Sequence, residues 1–86
     1  MNADERMEHA SRIQEKYAQE LMQKAHVVGV GVGLAQKDGA YTQDVALVVL
    51  VDKKLPIAQL AAEDLIPREI EGVRVDVQET GELKAQ

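Results

Sequence analysis

Val27-Val28-Gly29-Val30-Gly31-Val32-Gly33-Leu34 and Val45-Ala46-Leu47-Val48-Val49-Leu50-Val51 decide how this chain folds. Both runs are uncharged and rich in β-branched residues. Between them lies Lys37-Asp38-Gly39-Ala40, whose Asp-Gly pair suits the positive φ of a tight turn. The spacing predicts an antiparallel hairpin. Successive side chains alternate, so Val28, Val30, Val32 and Leu34 fall on one face of the first strand and Gly29, Gly31 and Gly33 on the other. Glycine weakens a strand, and three on one face predict a backbone that other polypeptide approaches closely. The second run is apolar on both faces, which predicts a central strand covered above and below.

Towards the N-terminus, Met7, Ala10, Ile13, Tyr17, Leu21 and Ala25 recur at three- and four-residue steps, opposite a charged face. This periodicity predicts an amphipathic helix over residues 3–25, capped by Asn2 or Asp4. Glu8 with Arg12 and Glu20 with Lys24 stand in the favourable acid-first order, worth roughly 0.3 kcal/mol each. Three strands cannot cover about six turns, so the first two turns are expected to project, fray or meet a partner helix. His26, at the predicted helix end, has a sufficient structural role there as a favourable charge on the dipole.

Towards the C-terminus, Pro56 opens a short predicted helix over residues 57–63, and Pro67 biases Ile66 towards extended backbone. Glu71-Gly72 reads as a turn, and Val73-Arg74-Val75-Asp76-Val77-Gln78 alternates as a half-exposed strand does. The long connection to this strand allows it to run parallel to the second. Residues 80–86 read as a loose tail. The predicted fold is α/β (α+β) in the order α-β-β-α-β. It is a single domain over residues 1–86, with hairpin, short helix and third strand within 27–79. The sheet is mixed and three-stranded, its second strand central, with the long helix across one face.

The absence of cysteine in 86 residues excludes disulfides and thiolate zinc sites. Phe and Trp are also absent, so the core is built from small aliphatic residues and is marginal for one chain. Oligomerisation is the expected reinforcement, and an open sheet edge points the same way. A net charge of −5 argues against a nucleic-acid surface. No apolar run approaches a membrane span, and the charged N-terminus is not a signal peptide, so a cytoplasmic protein is expected.

No catalytic constellation assembles from the sequence. Ser11 and His9 are two apart on a helix and do not face each other. His9 and His26 lack metal-ligand spacing, and no cofactor is implied. The alternating glycines do not form a phosphate loop, which follows a strand and opens a helix. Glu63-Asp64 and Glu69/Glu71, near Arg68, read as solvated loop charges, and no pocket is expected in so small a chain. Lys53-Lys54, at a strand end, is the candidate anion-binding pair.

Several blocks occur in an order that resembles a known segment. They are Val27-Val28-Gly29-Val30-Gly31-Val32-Gly33, then Ala46-Leu47-Val48-Val49-Leu50-Val51-Asp52-Lys53-Lys54-Leu55-Pro56. Ile66-Pro67-Arg68-Glu69-Ile70-Glu71-Gly72-Val73-Arg74-Val75-Asp76-Val77 and Glu79-Thr80-Gly81 follow. Together they resemble the segment that precedes the protease domain in bacterial and plant trypsin-like serine peptidases of the narrow-leaf type. The resemblance covers about two-thirds of the chain. It implies an accessory α/β module. No peptidase domain is expected after Gln86, so the resemblance places peptidase activity on no residue here.

These readings converge on a non-enzymatic, self-associating protein-interaction module. Gly29, Gly31 and Gly33, with Met7, Ile13, Tyr17 and Leu21, are its expected packing face. The resemblance adds a protease as partner, which the module would position, inhibit or chaperone. One alternative is a small-ligand or anion-binding domain that uses Lys53, Lys54 and glycine-strand amides. Another is an enzyme site shared between subunits, with His9, His26 or the acidic pairs.

Overall fold

The Asn2 side chain accepts the Glu5 backbone N–H (2.8 Å) and so starts α1, Ala3–Met22. The computed structural model describes residues 2–80. The helix ends three residues earlier than its periodicity predicts, because Gln23 to His26 form a turn closed by Val27 N–H on the Lys24 carbonyl (3.3 Å). His26 takes a positive φ (68°) in that turn, so it sits beyond the helix end and not on it. Lys24, rather than facing Glu20, reaches the Glu63 carbonyl (2.7 Å).

β1 (Val27–Lys37) and β2 (Ala40–Val51) form the predicted hairpin, with Lys37 opposite Ala40. Its two turn residues, Asp38 and Gly39, have φ of 53° and 81°, as the Asp-Gly pair predicts. The sheet has four strands, not three. A two-residue strand β3 (Glu69–Ile70) turns through Glu71 and Gly72, both at positive φ, and pairs with β4 (Val73–Glu79). So short a strand leaves no periodicity to read. The order is β1-β2-β4-β3, with β2 central and parallel to β4.

The predicted helix over residues 57–63 is replaced by two 3₁₀ turns, Ile57–Gln59 and Ala62–Asp64, with Leu60, Ala61 and Leu65 extended. Seven residues barely repay helix nucleation. The leucines also oppose it: Leu55, Leu60 and Leu65 recur every five residues and all line one cleft. On an α-helix at ~100° per residue, steps of five fall ~140° apart, so a helix would scatter them. One turn per five residues keeps them together.

The core lies between α1 and one face of the sheet. Ala10, Ile13 and Leu21 pack there against Leu47, Val49, Val51, Val73 and Val75. Burying an aliphatic side chain as fully as Ile13 contributes about 1.5–3 kcal/mol. The early turns of α1 are exposed from Asp4 to Glu8 and project past this core. Of the expected tail, only Thr80 is among the described residues. Its N–H donates to the Val51 carbonyl (2.8 Å), and residues 81–86 lie outside them.

Candidate functional site

The expected packing face is divided by the sheet. Ile13 and Leu21 are buried in the core, Tyr17 packs against its margin, and Met7 stays 49% exposed. Gly29, Gly31 and Gly33 lie opposite Leu50, Val48 and Ala46, on the face away from α1. The helix is therefore not what sits on the glycines. Parts of the chain's own sheet do so instead. A Cβ on Gly33 would meet Val48 Cγ2 at 3.3 Å, and one on Gly29 would meet Leu50 Cδ1 at 3.4 Å. A Cβ on Gly31 would meet no atom of the described residues within 4 Å.

The ladder is irregular between Leu34 and Gln36, and beyond it the hairpin tip curls over this second face. Gln36 N–H donates to Asp76 Oδ2 (2.9 Å), and Gln78 Nε2 donates to the Leu34 carbonyl (3.2 Å) and to Asp76 Oδ2 (2.9 Å). The curl buries Ala35, Ala46 and Val48, which explains how a central strand stays covered on the side without a helix. What remains open is the outer edge of β1. From Val27 to Ala35 it carries no charge and no proline, and Val28 and Leu34 are 41% and 42% exposed. Gln14 Nε2 donates to the Val30 carbonyl (3.0 Å), and α1 packs on the core face of β1 around Val27, Val30 and Val32.

A second feature lies where β2 and β4 end. Contrary to the expectation of no pocket, a cleft of ≈ 380 Å³ opens there, floored by Val51 and Val77 and walled by Leu55, Leu60, Leu65 and Ile66. Its wall is tied to the helix end, since Asp64 Oδ1 accepts the Ala25 N–H (2.9 Å). Lys53, Lys54, Arg68 and His26 also line it. His26 Nδ1 lies 2.9 Å from Asp52 Oδ1, an orienting pair beside the cleft. None of the three glycines lines this cleft, so the structure separates the lysine pair from the glycine-strand amides. The five-residue leucine spacing is the signal that could have revealed the cleft.

The acids near Arg68 do not converge on it. Glu71 instead joins α1 to the β3–β4 turn: its Oε2 accepts from Lys16 Nζ (3.0 Å) and Tyr17 Oη (2.8 Å). His9 Nε2 donates to the Glu71 carbonyl (2.8 Å). The hydrogen bonds from Lys16 and then Tyr17 hold the Glu71 carboxyl below the usual carboxylate range. The same bonds raise Lys16 and Tyr17 above their ordinary values. Ser11 is exposed on α1. Among the described residues no cluster of His, Cys, Asp or Glu could hold a metal ion, and no helix is long and apolar enough to cross a membrane.

No protein-family model matches the chain, and no curated protein matches its sequence.

Proposed function

We propose that this domain is a non-catalytic interaction module that self-associates through β1, two copies pairing antiparallel along that edge to form one continuous sheet. One observation carries the reading. β1 is an eleven-residue edge strand whose run from Val27 to Ala35 lacks the charges and prolines with which monomeric proteins blunt their edges. A core of small aliphatic residues adds a reason for a second copy to stabilise the fold. Regulation of a trypsin-like peptidase is the role that the sequence resemblance suggests for such a module.

Sedimentation velocity at micromolar concentration tests the pairing. The wild type should sediment as a dimer. The double variant Val28→Lys/Leu34→Lys, at two exposed positions, should sediment as a monomer with unchanged circular dichroism. A monomeric wild type overturns the proposal.

A further inference from the structure

We infer that the cleft at the ends of β2 and β4 binds a small amphiphilic anion, an aliphatic chain carrying one carboxylate. Three observations on the cleft agree. Eight of its thirteen lining residues are aliphatic, and its ≈ 380 Å³ lies within the range of small-molecule sites. At the ~30 Å³ that each water occupies in the liquid, that volume holds about a dozen non-hydrogen atoms. The site also lies beyond the carboxyl ends of two parallel strands, where open α/β sheets commonly take ligands.

Charge then selects the head group. The molecule is acidic overall, with 15 acids against 10 bases, yet Lys53, Lys54 and Arg68 all line this one opening. Asp64 is the acid that lines it, and its Oδ1 is engaged by the Ala25 N–H. Asp52 is turned to His26, and Glu79 Oε1 accepts the Lys54 backbone N–H (3.4 Å). The side chains of Lys53, Lys54 and Arg68 have no ion-pair or hydrogen-bond partner among the described residues. An aliphatic floor beneath cations that no described side chain engages fits a ligand that is apolar at one end and anionic at the other. Ile57, 70% exposed at the mouth, extends the apolar surface available to the chain.

Decanoate, with a dozen non-hydrogen atoms, is the probe. Titrated into the full chain and followed by amide NMR, it should give saturable shifts clustered at Val51, at 55–66 and at Val77. Decylamine, of similar length and opposite charge, and inorganic phosphate, with charge and no chain, should give none. Lys53→Gln/Lys54→Gln should weaken decanoate at least about tenfold while the spectrum away from the cleft is unchanged, and Arg68→Gln should act in the same direction. Equal binding of decylamine, tighter binding of phosphate alone, shifts scattered over the surface, or no saturable shift each overturns the assignment. Dimerisation is read separately by sedimentation, so either proposal can fail without the other.

Discussion

β1 and β3 close the two ends of one sheet, and they differ in length, charge and cover. β3 spans two residues and is flanked by Arg68 and Glu71. Its turn is fastened to α1 by Lys16, Tyr17 and His9, and the neighbouring β4 adds an Arg74–Asp44 pair (3.5 Å). β1 runs for eleven residues, of which Lys37 alone is charged, and along Val27–Gly33 one side-chain hydrogen bond reaches its backbone among the described residues, from Gln14. Short, charged and tethered edges resist pairing with another chain, whereas long uncharged ones invite it. A monomer would gain from treating both edges alike. The contrast teaches that solubility alone does not explain β1.

The largest effect expected from disturbing this contrast is on association. Lysines at Val28 and Leu34 bring like charges together across a β1–β1 seam, and should weaken self-association about 100-fold, ~2.7 kcal/mol. Glu69→Lys changes charge just as much at the other edge and should leave the sedimentation profile as it is. Dissociation by Glu69→Lys would place the interface at β3 and break the contrast.

Next in size is an effect on the monomer. Gly72 sits at φ 82° in the turn that keeps β3 short, a conformation that a β-branched residue adopts only with strain. Gly72→Val should lower unfolding stability by about 1–3 kcal/mol in urea while the association constant is unchanged. A large loss of association with intact stability would show that the β3 turn, too, belongs to the interface.

Much of this architecture is legible in the residues. The 3.6-residue stripe from Ala10 to Leu21, the Asp38-Gly39 turn and the two-sided apolar run of β2 each specify a local structure that the tertiary fold also requires. Local and global demands agree there. They disagree over 55–65, where helical propensity lost to the need for three leucines to meet in one cleft. The glycines were legible only in part. Alternation shows that they share a face, but which element covers it depends on the hairpin curl at Leu34–Gln36, a long-range feature set by Asp76 and Gln78. Likewise, no spacing links Glu71 to Lys16 and Tyr17, which are more than fifty residues away.

A smaller effect separates the glycines within β1. Alanine at Gly31 meets open space and removes backbone freedom from the unfolded chain, so it should stabilise the monomer by about 0.5–1 kcal/mol. Alanine at Gly33 meets Val48 Cγ2 at 3.3 Å and should gain less, or lose. Urea unfolding of the two variants below the association midpoint compares them. If Gly31→Ala also weakens dimerisation, a partner chain approaches at Gly31 and the open space is filled in the assembly. Equal monomer stabilities would mean that Val48 gives way.

The smallest effect sharpens the account of the tethered edge. In the folded chain Glu71 is held below the usual carboxylate range, first by the Lys16 hydrogen bond and then by that of Tyr17, and unfolding returns it to its ordinary value. Between those two values the unfolded chain binds a proton that the folded one does not, so stability rises with pH across that window. The tether's contribution is therefore complete above the ordinary carboxylate value of ~4.3 and is lost as pH falls through the lower folded value. Lys16 and Tyr17 are raised, so their share is complete below their ordinary values of about 10 and is lost as pH climbs past the folded ones. Other carboxylates titrate in the acid window too, and Glu71→Gln isolates this one. The gap in urea midpoint between wild type and Glu71→Gln should hold steady near neutral pH and close in acid. Since Lys16 and Glu71 are solvent-exposed, the gap should also narrow in high salt. A gap that persists in acid would place the tether in the His9 contact to the Glu71 carbonyl, with the carboxylate contributing nothing to the closed edge.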